Sequence, residues 1–323
     1  MITRHPKQPS LSRITLVTLL LSTLSSWAFA KEKVANPPGT AIPVLDNVIS
    51  KLEIIDIVTG KRNIIYQELN HFEAPNWSRD GEYILFNKSG RLYKLNIGER
   101  QAQVLDTGSR VNNNNDHGLS PDGNYIAISD QTFGDSTIAV LPAQGGEPKQ
   151  VTTNNPSYWH GWSPDGQSLA YCGERNGNYD IYVIPARGGE EKRLTSTPGL
   201  DDGPDYAPDG TIYFNSVRSG LMKIWKMGSD GSNQLQVTSD KTYADWFPHP
   251  SPDGKHLVFL SYDSSVTGHP ANKQVWLRIM PLDGSKKPQI LTKLFGGQGT
   301  LNVPSWSPDS TKIAFISYEL IEQ

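Results

Sequence analysis

The sequence predicts an all-β fold, a six-bladed β-propeller of four-stranded antiparallel blades. A short phrase centred on Ser-Pro-Asp-Gly recurs six times, with its aspartates at Asp80, Asp122, Asp165, Asp209, Asp253 and Asp309. The intervals between these aspartates are 42, 43, 44, 44 and 56 residues. Strand-like runs separate the phrases, and a period in the forties with four strands per repeat is typical of a propeller.

Residues 158–196 show how one repeat is expected to fold. The run 158–163 predicts an innermost strand, and the following turn contains Pro164, which presets φ, and Gly166, which accepts a positive φ. The runs 168–172, 180–184 and 192–195 predict the second, third and fourth strands. Comparable third-strand runs occur at 91–95, 136–141, 223–227 and 275–280.

The two ends of the repeat array complement each other. The last phrase is followed only by a second strand, at 312–317, before the chain stops at Gln323. Near the start, residues 51–58 and 63–67 predict a third and a fourth strand with no preceding pair. We therefore expect the N-terminal strands to complete the sixth blade, which would remove the open edges of the array.

The first thirty residues have the pattern of a secretory signal peptide. A basic start precedes the apolar run 14–24 and the small-residue site Ala28-Phe29-Ala30. Cleavage near Ala30 predicts a secreted or periplasmic protein with no membrane span in the mature chain. The expected organisation is a signal peptide at 1–30, a short N-terminal segment at 31–45 and a single propeller at 46–323.

Charge and cysteine content exclude two classes of protein. Without residues 1–30 the net charge is −6, and no cluster of lysine and arginine is present, so nucleic acid is not an expected partner. Cys172 is the only cysteine, so no internal disulfide is expected.

In three blades a histidine near the start of the innermost strand departs from the repeat. Three residues before the phrase serine (alanine in the fourth phrase), proline is the usual residue, but His117 and His160 replace it in the second and third repeats. His249 lies one position further along in the fifth repeat. Because innermost strands begin at one mouth of a propeller, these imidazoles could converge there with Gln298 on one divalent metal, Mn, Zn or Ca. Alternatively, they satisfy backbone groups at strand ends.

The same mouth is expected to collect further polar and aromatic residues, because the loops between second and third strands open there too. The candidates for substrate binding are Trp159, Asp201, Asp202, Arg175, Arg218, Trp246 and His269. The aromatic residues could stack on sugar rings or could instead plug the channel. The paired aspartates could bind a cation or sugar hydroxyls, or could form a solvated turn.

The six phrases, the glycine-rich third turns such as Gly188-Gly189 and the Leu-Thr strand ends such as Leu194-Thr195 resemble the TolB-type propeller repeat of exported bacterial proteins. The resemblance covers residues 46–319 and implies a periplasmic propeller. TolB itself carries an additional N-terminal α/β domain, which the short segment 31–45 does not match. Propeller peptidases carry a hydrolase domain, and the chain has no G-x-S-x-G elbow of that kind.

The set His117, His160, His249 and Gln298 is also similar in kind to the metal site of oligogalacturonate lyases, which are propellers of related repeat type. That resemblance implies a uronate substrate and β-elimination, with a proton removed by His160, Lys273 or Tyr158.

Two hypotheses about function follow. In the first, the mouth binds an acidic or hydroxyl-rich glycan or oligosaccharide, with or without metal-assisted lyase chemistry. In the second, the propeller is a non-catalytic module that docks a periplasmic protein.

Overall fold

The computed structural model describes residues 1–2 and 47–321. The predicted signal peptide, its cleavage site and the segment 31–45 lie outside these residues. The chain divides into two units, Met1–Lys33 and Val34–Gln323, and all the strands described below belong to the second.

Six antiparallel sheets make up the described part of this second unit, which confirms the predicted six-bladed all-β propeller. Five blades run in chain order. They are blade 1 with β3 Glu73–Trp77, β4 Tyr83–Lys88, β5 Arg91–Asn96 and β6 Gln103–Val104; blade 2 with β7 Asn113–Leu119, β8 Tyr125–Asp130, β9 Thr137–Pro142 and β10 Lys149–Gln150; blade 3 with β11 Ser157–Trp162, β12 Ser168–Arg175, β13 Asn178–Pro185 and β14 Lys192–Arg193; blade 4 with β15 Asp201–Tyr206, β16 Ile212–Ser216, β17 Lys223–Met227 and β18 Leu235–Gln236; and blade 5 with β19 Tyr243–Pro250, β20 His256–Asp263, β21 Lys273–Pro281 and β22 Gln289–Gly296.

Blade 6 joins the two ends of the chain, as predicted. It contains β1 Val48–Asp56, β2 Arg62–Leu69 and β23 Lys312–Leu320. Strands β1 and β23 pair in unbroken register from Val48 opposite Leu320 to Asp56 opposite Lys312. The innermost position of this blade is reduced to a single bridge, between Trp306 and Ile313.

The recurring phrase is explained by the hydrogen bonds of its turn. In blade 3 the Ser163 hydroxyl donates to Asp165 Oδ1 over 2.6 Å, and the same oxygen accepts from the backbone N–H of Gln167. Ser163 Oγ also accepts from the N–H of Ser168 over 2.9 Å. Serine and aspartate therefore close the first hairpin with side-chain bonds in every blade except blade 4, which has Ala207 in place of the serine, and this is why the two residues recur together.

Tryptophan residues at the inner edges of blades 3 and 6 join these blades to their neighbours. Trp162 of blade 3 donates its Nε1–H to the carbonyl of Gly118 in blade 2 over 3.0 Å. Trp306 of blade 6 donates in the same way to His249 of blade 5 over 2.9 Å. These residues are buried, as expected for inter-blade core.

The connections fall on two faces of the ring because the strands alternate in direction. We call the face with the loops that enter the innermost strands the loop face. It also carries the loops between second and third strands. The opposite face carries the six phrase turns and the turns between third and fourth strands, and we call it the turn face.

Candidate functional site

Polar side chains gather around the central channel where the innermost strands change register. A register shift occurs in each of β3, β7, β11, β15 and β19. Such bulges bend a strand and redirect its side chains. Ala74, Gly203 and Phe247 lie four positions before the phrase serine or alanine, have a positive φ and precede a proline. Asp116 and Trp159, at the same position, precede His117 and His160 and have an ordinary φ.

His160 lies between two carboxylates. Its Nε2 is 3.1 Å from Oδ1 of Asp202, and both side chains are almost fully buried. Burial alone would lower the pKa of His160, but the negative charge of Asp116 and the contact with Asp202 outweigh it and raise the pKa. For Asp202, burial would raise the pKa, and the imidazolium of His160 lowers it instead. The two residues therefore form a buried ion pair.

Asp116 is held by asparagines from its own strand and from the segment that enters blade 6. Its Oδ1 accepts a hydrogen bond from Nδ2 of Asn302 over 3.1 Å, and Oδ2 accepts one from Asn114. Burial raises the pKa of Asp116 to about 6, although the charge of His160 opposes the shift. Glu73 from blade 1 lies nearby, and burial raises the pKa of this carboxyl to about 8. The sequence analysis assigned no role to Asp116, Glu73 or Asn302. Their only signal is a polar residue four or five positions before the phrase serine.

The loop between β20 and β21, the longest of those between second and third strands, places His269 over this cluster. The His269 ring is fully buried and packs edge-on against Trp246, with 4.4 Å between ring centroids, and against Phe247 at 5.4 Å. Phe247 in turn stacks on His160 at 6.0 Å. Burial lowers the pKa of His269, while the negative charge of the nearby Asp202 opposes the shift. Trp159, Trp246 and Phe247 are buried, so in this arrangement they fill the channel.

The three histidines proposed as metal ligands have different environments. His249 Nδ1 is 3.0 Å from Asp205 Oδ2, and its Nε2 is 3.2 Å from the carbonyl of Leu301. His117 is fully buried, neither ring nitrogen has a hydrogen-bond partner among the described residues, and burial lowers its pKa to about 3.

Within residues 1–2 and 47–321, no group of three or more histidine, cysteine, aspartate or glutamate side chains is arranged to hold a metal ion. The predicted ligands His117, His160 and His249 are thus not gathered as such a group in this arrangement, and the metal site with Gln298 stays a prediction.

The remaining candidate residues either form ion pairs with other residues of the chain or lie away from the His160 cluster. Arg175 pairs with Glu191 at 2.9 Å, and Arg218 pairs with Asp201 at 2.7 Å. Lys273 is exposed at the start of β21. Tyr158 is buried, and burial raises the pKa of its hydroxyl. The structure thus brings His160, Asp202, His269 and Gln298 together and leaves Lys273 outside the group.

Comparison with known proteins identifies the family. Residues 159–269 match the model of the TolB beta propeller domain. The chain is 50% identical over 276 residues to Uncharacterized protein Atu1656 of Agrobacterium fabrum, an alignment that covers 84% of this chain and 94% of the relative. This chain belongs to the TolB β-propeller family.

A solved structure also matches this TolB-type propeller along most of its length. That structure, assigned to TolB from Agrobacterium tumefaciens, superposes with a TM-score of 0.82 at 48% identity, covering 85% of this chain and 99% of its own. An oligogalacturonate lyase in complex with manganese superposes with a TM-score of only 0.48 at 14% identity, covering 76% of this chain and 67% of its own. The second similarity is too distant to support a lyase activity for the TolB-type chain.

Among residues 1–2 and 47–321, no helix combines the length and hydropathy needed to cross a membrane.

Proposed function

We propose that this chain is an exported, non-catalytic propeller that binds a periplasmic protein. One observation carries the proposal: four of the candidate catalytic, metal-binding and substrate-binding groups at the loop face are paired with carboxylates inside the protein. His160 faces Asp202, and His249 faces Asp205. Arg175 and Arg218 also have carboxylate partners. A base or a substrate clamp needs a polar group that can reach the substrate, and these groups already bind one another.

Saccharide binding with metal-assisted lyase chemistry is the second candidate. It is favoured by unsatisfied polar groups in the channel, since both ring nitrogens of His117 and of His269 have no hydrogen-bond partner among the described residues. Buried polar groups of this kind usually bind water or a ligand. Neutral imidazoles are suitable ligands for a divalent transition metal, although His249 would first have to release its partners.

Two measurements separate these functions. Elemental analysis of the purified exported protein, after dialysis against manganese, zinc and calcium, is run beside the His160→Ala variant. Both samples are also incubated with polygalacturonate and followed by the ultraviolet absorbance of unsaturated products. We expect no near-stoichiometric metal that depends on His160 and no turnover. A metal that is lost in the variant, together with unsaturated products in the parent protein, would overturn the binding-module proposal.

Protein binding itself is tested by photo-crosslinking in cells that export the protein. A photoreactive residue is placed at Phe133 on the loop face or at Pro208 on the turn face, both exposed. Leu235, exposed on the outer strand β18, is the matched control. We expect a discrete protein adduct from at least one face and none from the outer strand. The absence of adducts from both faces would contradict the proposal.

A further inference from the structure

A funnel opens on the turn face, at the end of the channel opposite the loops. Its cavity measures 330 Å³. The residue after the phrase serine or alanine lines it in every blade, namely Arg79, Pro121, Pro164, Pro208, Pro252 and Pro308. All five prolines are exposed. We call this cavity the turn-face funnel.

The turn-face funnel has a mixed lining of aromatic, proline and polar residues, the last including Asp205 and Ser251. Trp162, Tyr206 and Trp306 line its wall, and Trp159 also borders it. Trp159 lies four residues before the phrase serine, whereas the other lining residues come later along their repeats, so it is the deepest. Exposed prolines and aromatic faces at the centre of a surface are typical of peptide-binding sites, because such a patch gains from being covered.

Trp159, which borders the funnel, carries an unpaired hydrogen-bond donor. Trp159 is only 1% exposed, and its Nε1–H has no hydrogen-bond partner in the described part of the chain. A buried indole N–H without an acceptor is costly unless a ligand or water completes it.

Carboxylates surround the funnel. The phrase aspartates, each one residue beyond the funnel-lining position, are all exposed. Bonds from the phrase serine and a backbone N–H lower the pKa of Asp80, Asp122 and Asp165, and lower that of Asp309 to about 2. Among the described residues, ion pairs within 4.0 Å join only two of the six to lysines, Asp253 to Lys255 and Asp309 to Lys312. The six aspartates outnumber the cations at the same turns, Arg79, Lys255 and Lys312, so the rim is acidic, which favours a cationic partner and disfavours nucleic acid.

We infer that the turn-face funnel docks a basic segment of a partner protein, with an aromatic or proline side chain in the funnel and flanking lysines or arginines against the six aspartates. The inference rests on the proposed function and specifies its surface and the chemistry of its partner. Arg79 is the one departure from the proline ring. Its guanidinium donates to the carbonyls of Leu119 and Ser120, so one positive charge lies beside the entrance.

The test uses a fluorescein-labelled peptide of sequence Lys-Lys-Pro-Trp-Pro-Lys-Lys and a matched peptide with glutamate in place of each lysine. Binding to the purified exported protein is followed by fluorescence anisotropy at low and at high salt. We expect saturable binding of the lysine peptide that weakens as the salt concentration rises. The glutamate peptide should bind at least about tenfold more weakly than the lysine peptide.

Variants of the protein locate the binding surface. The triple change Asp122→Asn, Asp165→Asn and Asp209→Asn keeps an oxygen for the turn but removes three charges, and should weaken binding about tenfold. Asp263→Asn is the matched control, because Asp263 accepts the same kind of bonds from Ser265 on the loop face.

A second pair of variants changes the funnel wall itself. Pro208→Arg adds a positive charge at a turn position where Arg79 shows that arginine is tolerated, and should weaken binding. Arg79→Pro should strengthen it. Melting temperatures confirm that each variant is folded.

Each outcome decides the inference. Loss of binding in the triple and Pro208→Arg variants, with Asp263→Asn unchanged, supports it. Three results would overturn it. They are no binding of the lysine peptide, equal binding of the glutamate peptide, and binding that is unchanged in the triple and Pro208→Arg variants. In those cases protein adducts from Phe133 on the loop face would leave the proposed function standing, whereas turnover of polygalacturonate would overturn that function separately.

Discussion

The indole ring of Trp159 in blade 3 occupies the space that a Cβ on Gly118 in blade 2 would need. An ideal Cβ on Gly118 would lie 2.1 Å from Cη2 of the indole and 2.7 Å from Cζ3. Glycine at this position therefore lets the indole reach across to the neighbouring blade. Trp159 closes the inner end of the turn-face funnel, and the next residue in the chain, His160, belongs to the polar cluster.

Gly118→Ala is expected to destabilise the protein, because the new methyl group meets a buried ring that has no room to move. Overpacking of this kind costs about 1–3 kcal/mol. Trp159→Phe removes the atoms in the clash, so the double variant should recover part of the loss. Denaturant unfolding of the two single variants and the double variant measures the coupling, and strictly additive effects would contradict the packing described here.

Asp202→Asn should destabilise the protein by about 3 kcal/mol, because it leaves the charge of His160 buried without its partner. Chemical denaturation near pH 6 measures the change. Asp135→Asn is the control, since Asp135 is exposed on the loop face and should change stability by less than about 0.5 kcal/mol. A small effect at Asp202 would mean that His160 is neutral in the folded protein.

The pH dependence of this pair has a definite sign. Because the folded-state pKa of His160 is raised, its contribution to stability is present at low pH and is lost as the pH rises through the folded pKa. The lowered pKa of Asp202 acts in the opposite sense, with stability lost as the pH falls through it. The pair should therefore stabilise the fold most at pH values between the lowered pKa of Asp202 and the raised pKa of His160.

Asp116→Asn should lower the pKa of His160, since the charge of Asp116 is the main influence that raises it against burial. A titration of the His160 ring protons by NMR measures this pKa, with Asp135→Asn again as the control. An unchanged His160 pKa in Asp116→Asn would contradict the assigned geometry.

The fold could be predicted because it is repetitive. Each phrase carries its own turn chemistry, so six weak local signals reinforced one another, and the unmatched strands at the two ends predicted the sixth blade. The predicted loop face likewise collects His160, Asp202, His269 and Gln298, because the mouth follows from strand direction alone.

The partners within the site could not be predicted in the same way. His249 turns to Asp205 of the preceding blade, and His160 turns to Asp202 of the following one. These directions depend on bulges in the innermost strands, which the sequence does not mark. The turn-face funnel could not be predicted from the sequence for another reason. Within one repeat, the residue after the phrase serine is explained by the turn alone. The six equivalent residues form a ring only when the six blades close.

Ser163→Ala should cost about 1–2 kcal/mol, because the hydroxyl both donates to Asp165 and accepts from the N–H of Ser168. Ala207 occupies the same place in blade 4, where the hairpin is one residue shorter: Tyr206 pairs with Ile212, whereas Trp162 pairs with Leu169. Ala207→Ser should therefore give no comparable gain. Thermal unfolding of both variants tests this, and a gain of about 1 kcal/mol in Ala207→Ser would show that the shorter turn still accepts the hydroxyl.

Closure of the ring by blade 6 should control cooperative unfolding. Deletion of residues 47–69 removes β1 and β2 and exposes the whole edge of β23, so we expect a broad, non-cooperative melt. The matched control is a circular permutant that keeps every strand. Asn47 and Ile321 are already bonded, with the Ile321 N–H donating to the Asn47 carbonyl over 2.9 Å, so a short linker can join them. New ends opened between Glu99 and Arg100, in an exposed turn, should leave the melt cooperative. A cooperative melt in the deletion variant would mean that five blades are stable without the sixth.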